Sequence, residues 1–146
     1  ATNNEVRVVA ETSEGGAFNS PTDVVVHSSG VIFFTDPPYG LAQQDDDPAK
    51  EQPVNGIYAV APDGTISLIY GSLTRPNGIA ISPDGSTLYV ANSDPNDASF
   101  HTFPVSAEGQ VGERALLVDM TAERQVRYSS AKCSSVIPAR RGFEPD

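Results

Sequence analysis

The sequence predicts an all-β protein built from β-propeller blades. Two segments repeat the same pattern, with Pro21 matching Pro76 and Gly30 matching Gly85, each pair 55 positions apart. Short apolar runs alternate with turns along the chain, and no stretch keeps a helical apolar period beyond two turns. A repeat of this length made of β-strands indicates propeller blades. A β-sandwich is the alternative, and the internal similarity favours the propeller over it.

The strand pattern divides into two units of four antiparallel strands, with glycine- and proline-containing turns between many of the runs. The predicted strands open, in order, at Asp23, Val31, Gly56 and Thr65, and then at Gly78, Thr87, Phe100 and Ala115. Near the start, Val6, Val8 and Val9 match the outermost strand of the first unit. We therefore expect residues 1–120 to form about two blades plus the outer strand of a preceding blade.

From residue 121 onward the alternation of turns and strands stops, so residues 121–146 are predicted to form a divergent C-terminal tail. The chain's single cysteine, Cys133, lies in this tail. One cysteine excludes an internal disulfide and any multi-cysteine zinc site.

Charge and composition narrow the classes of partner. The chain has 146 residues and a formal net charge of −10, from 19 acidic and 9 basic residues. Binding to nucleic-acid phosphates requires an excess of basic residues, which this chain lacks, so nucleic acid is not expected as a partner. No apolar run approaches a membrane span and no signal peptide is visible, so we expect a soluble chain without a membrane partner and leave its compartment open.

Four separated motifs, in order, resemble the gluconolactonase / senescence-marker-protein / regucalcin-like family. They are FNSPTD at 18–23, FTDPPYGL at 34–41, RPNG at 75–78 and YVANSDP at 89–95. The resemblance implies a six-bladed propeller that holds a divalent cation, often calcium, in its central channel and hydrolyses lactones. This chain would supply about half of such a ring. Lactone hydrolysis requires a polarised carbonyl and an activated water, and hard cations prefer oxygen ligands.

The resemblance also implies roles for individual residues. Asn77 matches the family's channel asparagine that ligates the metal, although an asparagine before Gly78 is also typical of a turn. Asp36 matches an aspartate at the channel mouth and is the candidate catalytic acid–base, with a turn-starting aspartate as the alternative. The candidate substrate-binding residues are Thr22, Asp23, Tyr39 and Asn92.

Departures from the family pattern leave two functions open. Thr22 stands where the family usually has an asparagine, and two charged ligands of the family are missing from this sequence. The first reading is a lactone hydrolase that uses a divalent cation, calcium in the first instance. The second is a non-catalytic, truncated family member that acts as a binding or scaffold protein with a degraded metal site. A weaker third reading, calcium binding by Asp45, Asp46 and Asp47, lacks the glycine and glutamate spacing of a calcium loop.

A partial propeller exposes sheet edges and apolar faces, which favours association. We therefore expect a homodimer in which two copies related by a two-fold axis complete the ring. A head-to-tail exchange of edge strands is the alternative.

Overall fold

A computed structural model describes residues 8–123 of the chain. Its strands are β1 Thr12–Ser13, β2 Gly16–Ala17, β3 Asp23–Val26, β4 Ile32–Asp36, β5 Gly56–Val60, β6 Ile66–Tyr70, β7 Pro76–Ile81, β8 Thr87–Asp94, β9 Asp97–Pro104 and β10 Ala115–Asp119. A short 3-10 turn, Gln44–Asp46, lies in the loop between β4 and β5. The last eight strands confirm the eight predicted positions to within three residues. Between residues 8 and 123, no helix is long and apolar enough to cross a membrane.

The eight long strands form two four-stranded antiparallel sheets in simple chain order. The first blade has the order β3-β4-β5-β6 and the second the order β7-β8-β9-β10. Each is a meander whose neighbouring strands follow one another in sequence, which is the arrangement of a propeller blade. The prediction of an all-β protein built from propeller blades is therefore confirmed. The predicted tail falls mostly on residues 124–146, which lie outside the described residues.

The expected outer strand near the N-terminus is not formed in the described residues. Val8 and Val9 lie outside any strand, and a short hairpin of β1 and β2 follows them. Val6 lies outside the described residues.

The core lies between the two blades. Side chains alternate along each strand, so Phe33 faces the second blade while its neighbour Phe34 faces the opposite side. Facing Phe33 are Leu88 and Val90, both fully buried. Leu73, in the connection between the blades, completes this cluster.

Each blade has a second face that turns away from the core. We call the one on the first blade the N-terminal face; its residues are Val24, Val26, Ile32 and Phe34. The one on the second blade is the C-terminal face, with Ala80, Tyr89, Ala91 and Phe100. Phe18 covers part of the N-terminal face, packing edge-on against the ring of Phe34 at 5.0 Å.

The first strands of the two blades, β3 and β7, meet at one edge of the molecule. The Asp23 carboxylate on β3 accepts a 3.0 Å hydrogen bond from the backbone N–H of Ile79 on β7. The Thr35 hydroxyl donates a 2.6 Å hydrogen bond to the backbone carbonyl of Asn77. These bonds join the first blade to β7 where β3 and β7 converge, and we therefore describe β3 and β7 as the innermost strands.

Candidate functional site

Most of the predicted site residues lie at one end of the two sheets. Antiparallel pairing places the start of β3 beside the end of β4, and the start of β7 beside the end of β8. Asp23 is thereby opposite Thr35, and Pro76 opposite Asn92. The fold therefore gathers polar residues from strand ends that are far apart in sequence.

Asn77 stands at an irregularity in the innermost strand of the second blade. The β7–β8 register shifts between Pro76 and Ile79, which places Asn77 and Gly78 in a bulge. The Asn77 amide nitrogen donates a 3.2 Å hydrogen bond to the Ser93 hydroxyl. Its amide oxygen accepts no hydrogen bond from the residues described here, so it is available to a ligand.

Asp36 is fully buried at the end of β4. Its carboxylate accepts hydrogen bonds from the backbone N–H groups of Asn19 at 2.9 Å and Ser20 at 2.6 Å. Burial raises the pKa of this carboxyl, and the two backbone hydrogen bonds and the charge of Lys50 oppose that rise. These contacts hold the segment that leads into β3. The proposed catalytic role of Asp36 stays a prediction, and the geometry gives the residue a structural task.

Asn92 is buried at the corresponding end of β8. Its amide oxygen accepts a 2.7 Å hydrogen bond from the backbone N–H of Arg75. Its amide nitrogen donates to the backbone carbonyl and to the carboxylate of Asp97 at 2.8 and 2.9 Å. Both ends of the side chain therefore hold neighbouring backbone, and substrate contact by Asn92 stays a prediction.

The other three predicted substrate-binding residues differ in how many hydrogen bonds their side chains already make within the chain. Thr22 is exposed, and its hydroxyl donates to the backbone carbonyl of Ser20 at 2.9 Å. Asp23 uses one carboxylate oxygen for Ile79 and the other for the N–H of Val24. Tyr39 is 42% exposed, and its hydroxyl has no hydrogen bond to the described part of the chain. Of the three, Tyr39 is thus the residue whose polar side-chain atom makes no hydrogen bond to the described residues.

A polar clamp, which the sequence did not reveal, ties the β4–β5 loop to the segment just before Asn77. Arg75 forms an ion pair with Asp45 and also donates to the carbonyl of Thr74 at 2.8 Å. Asn55 donates to the other Asp45 oxygen and to the same carbonyl, both at 2.8 Å. Asp45 is therefore a loop anchor, and no sequence signal marks a partner 30 positions away.

A serine and a histidine lie within hydrogen-bond distance in the second blade, but the proton on the histidine is on the wrong nitrogen for nucleophilic catalysis. The ring Nε2 of His101 lies 2.9 Å from the Ser99 hydroxyl, and Nδ1 lies 2.9 Å from an Arg114 guanidinium nitrogen. A guanidinium only donates, so the hydrogen-bond pattern assigns Nδ1 as the acceptor and the proton to Nε2. His101 therefore donates to Ser99 and cannot take its proton. Burial and the neighbouring Arg114 charge lower the pKa of His101, while Asp97 opposes them.

The oxygen donors at this end of the described blades are few for a divalent cation. No group of three or more His, Cys, Asp or Glu side chains that could hold a metal ion occurs among the described residues. The buried side-chain oxygen left without a partner in this part of the chain belongs to Asn19, which was not predicted as a ligand. Asn77 offers one neutral oxygen, while both Asp23 and Asp36 are engaged by backbone N–H groups. Since calcium takes six to eight oxygen ligands, the described residues of one chain do not suffice for it.

Two meander blades whose innermost strands converge, with polar residues at one end of those strands, define a part of a β-propeller with a candidate channel site. The sequence profile of the SMP-30/Gluconolactonase/LRE-like region matches residues 1–134. The chain belongs to this family, which confirms the resemblance drawn from the four motifs.

Individual relatives agree with the family. A gluconolactonase from Zymomonas mobilis subsp. mobilis is 41% identical over 116 residues, covering 80% of this chain and 33% of the relative. A lactonohydrolase from Aspergillus oryzae is 31% identical over 86 residues, which are 58% of this chain and 19% of the relative. The solved structure of a gluconolactonase from Xanthomonas campestris superposes with a TM-score of 0.61 at 31% identity, covering 73% of this chain and 36% of that one. The chain thus spans about a third of the length of the Zymomonas and Xanthomonas proteins.

Proposed function

We propose that this chain is part of a gluconolactonase-like hydrolase that opens sugar or aliphatic lactones at the channel end of β3 and β7. In the reaction, water adds to the lactone carbonyl, the ring C–O bond breaks, and a hydroxy acid leaves. Family membership and the names of the relatives support a lactone as substrate. The observation that supports the site most strongly is the amide oxygen of Asn77, which has no hydrogen-bond partner in the described structure. Asn77 lies at a bulge of an innermost strand.

Exposed polar residues at the same end of the blades as Asn77 support substrate binding there. Tyr39 is exposed and its hydroxyl makes no hydrogen bond to the described residues, and the oxygen of the Thr22 hydroxyl retains acceptor capacity after donating to Ser20. A sugar lactone carries several hydroxyl groups that such side chains can bind. Asp36 and Asn92 support the site indirectly, by fixing the backbone on which Thr22 and Asn77 stand.

A divalent cation, calcium in the first instance, is proposed only for an assembly that adds ligands to Asn77. The donors described in one chain are too few and carry too little free charge to hold calcium usefully. The same shortage favours the second candidate function, a non-catalytic family member that keeps the fold as a binding or scaffold protein.

Two measurements separate these functions. A pH-stat assay follows acid release from gluconolactone and from γ-butyrolactone above the uncatalysed rate, and calorimetry follows calcium binding to the same sample. The hydrolase predicts turnover that Asn77→Ala abolishes. Asn96→Ala is the matched control, because Asn96 is exposed at the same end and its side-chain amide makes no hydrogen bond to the described residues. If the assembled protein shows no turnover and binds no calcium, the non-catalytic function is supported.

A further inference from the structure

The bulge of β7 that carries Asn77 is not held by regular pairing within its own blade. The register of β7 and β8 leaves two residues, Asn77 and Gly78, opposite a single residue, Ala91. A bulge of this kind interrupts the ladder of backbone hydrogen bonds and leaves the extra residue unpaired. The direction in which the Asn77 side chain leaves the strand is therefore set by groups outside the ladder.

The first blade supplies two such groups, one on each side of Gly78. Thr35 is a fully buried residue of β4, and its hydroxyl donates a 2.6 Å hydrogen bond to the backbone carbonyl of Asn77. Asp23 lies directly opposite Thr35 on β3, and its carboxylate accepts the backbone N–H of Ile79 at 3.0 Å. A side-chain donor and a side-chain acceptor of the first blade therefore hold the bulge of the second.

The internal repeat shows that these two groups serve the bulge rather than the construction of a blade. Asp23 corresponds to Gly78 at a shift of 55 positions, and Thr35 corresponds to Ala91 at a shift of 56, after a one-residue insertion. The second blade thus forms the same four-stranded meander without a carboxylate or a hydroxyl at these positions. The side chains of Asp23 and Thr35 are therefore matched to the strand that they contact, β7.

The side chain of Asn77 has a separate contact within its own blade. Its amide nitrogen donates a 3.2 Å hydrogen bond to the hydroxyl of Ser93, near the end of β8. The backbone N–H of Ser93 donates to the carbonyl of Arg75 at 2.8 Å, which ties Ser93 to the segment that leads into β7. Because a carboxamide turns as one planar unit, a contact that holds its nitrogen also directs its oxygen.

We propose that Thr35 and Ser93 are positioning residues for Asn77. Thr35 holds the backbone of Asn77 from the first blade, Ser93 holds its amide nitrogen from the second, and the amide oxygen is thereby presented to a ligand at the channel end. The inference rests on the proposed function for the class of that ligand, a lactone. The contacts that carry it lie within the two described blades.

The division of this task between two blades links the site to the contact between them. The hydrogen bond from Thr35 to Asn77 joins residues 42 positions apart. A substitution in the first blade should therefore change the behaviour of a residue in the second. The orientation of the amide also decides its chemistry, because the oxygen accepts a hydrogen bond from a lactone hydroxyl, whereas the nitrogen only donates.

The first test measures the order of Asn77 by nitrogen NMR relaxation and requires no turnover. The side-chain resonance is assigned by its loss in Asn77→Ala. Ser93→Ala should lower the order parameter of the Asn77 side-chain amide to below about 0.6, the range of flexible groups, with little change in the backbone. Thr35→Val should instead lower the backbone order parameters of Asn77 and Gly78, because valine keeps the shape of threonine but donates no hydrogen bond.

The second test measures turnover of gluconolactone in the pH-stat. Thr35→Val and Ser93→Ala should each lower kcat/KM about tenfold or more, because a small displacement of a positioned group has effects of that size. Thr35→Ser should recover most of the loss, since serine keeps the hydroxyl donor. Thr102→Val is the matched control and should keep the wild-type kcat/KM. Thr102 is a half-buried residue of β9 whose hydroxyl makes no hydrogen bond to the described residues.

The two tests separate this inference from the proposed function. If the wild-type protein does not hydrolyse the lactone, the proposed function fails, and the relaxation measurements alone decide the positioning roles. If both variants leave the order parameters of Asn77 unchanged, the positioning roles are wrong, whatever the turnover. They are also wrong if order falls and kcat/KM does not, while Asn77→Ala abolishes turnover.

Circular dichroism checks that each variant keeps its β-sheet signal, since Thr35 is fully buried. Where Thr35→Val does not fold, Thr35→Cys replaces it, because a thiol is only a weak donor, and it should lower the backbone order of Asn77 in the same direction. Ser93 is half-buried, so Ser93→Ala tests the contact with the amide independently of the core.

Discussion

Asp36 in the first blade and Asn92 in the second occupy equivalent positions and accept equivalent hydrogen bonds. Asp36 accepts the backbone N–H of Ser20 at 2.6 Å, and Asn92 that of Arg75 at 2.7 Å. Ser20 and Arg75 are themselves 55 positions apart in the repeat and each lies two residues before a candidate site residue, Thr22 or Asn77. A side chain at the end of the second strand of each blade thus fixes how the first strand begins.

The two positions need different chemical groups because their second partners differ. Asp36 also faces the N–H of Asn19, so a group that only accepts is required there. Asn92 also faces the carbonyl and carboxylate of Asp97, so a group that donates is required. The carboxylate and the amide are therefore not interchangeable, although they share a place in the repeat.

Exchanging the two groups should destabilise each blade. Asp36→Asn turns an amide N–H₂ toward a backbone N–H, and we expect a loss of about 1–3 kcal/mol in the free energy of unfolding. Asn92→Asp places a carboxylate against Asp97 and should cost at least as much at pH 7, with partial recovery below about pH 4, where carboxylates take up protons. Urea denaturation at both pH values measures this. Losses below about 0.5 kcal/mol in both variants would contradict the structural role.

A second prediction concerns the turns at the ends of the blades far from the site. Gly64 and Gly85 both follow a Pro-Asp pair and have positive φ angles of 88° and 76°. An alanine Cβ at Gly85 would lie 3.0 Å from Nε2 of His27, whereas at Gly64 it would meet nothing within 4 Å. Gly64→Ala should therefore lower the free energy of unfolding by about 1 kcal/mol from backbone strain alone. Gly85→Ala should lower it clearly more.

The extra cost at Gly85 should disappear when its neighbour is shortened. In the double variant with His27→Ser, the effect of Gly85→Ala should approach that of Gly64→Ala, as measured by a double-mutant cycle of unfolding free energies. Equal costs for the two glycines in the otherwise unchanged protein would show that the blades do not touch at this turn.

A third prediction follows from the neutral state of His101. Because burial and the Arg114 charge lower its pKa in the folded state, the unfolded chain binds a proton at higher pH than the folded one. Stability should therefore fall as the pH drops below about 6.5, the ordinary value for histidine. The unfolding midpoint should decrease between pH 7.5 and pH 5.5, and the decrease should be smaller in His101→Gln.

Arg114→Met provides the complementary variant, since it removes the charge that disfavours protonation. It should also reduce the pH dependence, while costing stability at every pH through loss of the Arg114 contact over the Tyr70 ring at 5.4 Å. An unchanged pH dependence in both variants would rule out His101 as its origin.

The sequence predicted the blades because they rest on local periodicity, while much of the site rests on contacts between distant segments. In the sequence repeat, Val24 corresponds to Ile79 and Phe33 to Tyr89. These matches predict the blades, and each residue belongs to an apolar run that can be read from the local sequence alone. The structural role of Asp36 was not visible, because its partners lie 16 and 17 positions away in an irregular segment. One signal was available in the sequence, namely that Asp36 and Asn92 share a repeat position, which points to a shared structural task.

The last prediction concerns the polar clamp formed by Asp45, Asn55, Arg75 and the carbonyl of Thr74. The side chains of Arg75 and Asp45 are 21% and 41% exposed, so their ion pair should contribute less than about 1 kcal/mol to global stability. Its effect should instead be local, because it anchors the β4–β5 loop that carries Tyr39. Lys50 in this loop provides a trypsin site, so cleavage after Lys50 reports how often the loop opens.

Asp45→Asn should accelerate tryptic cleavage after Lys50 about threefold or more, with little change in the unfolding midpoint. Asp46→Asn is the matched control, since Asp46 lies in the same turn and its carboxylate has no hydrogen bond to the described residues. High salt should bring the wild-type rate closer to that of Asp45→Asn, because salt screens an exposed ion pair. Equal acceleration by both substitutions would mean that loop charge, rather than the contact with Arg75, controls opening.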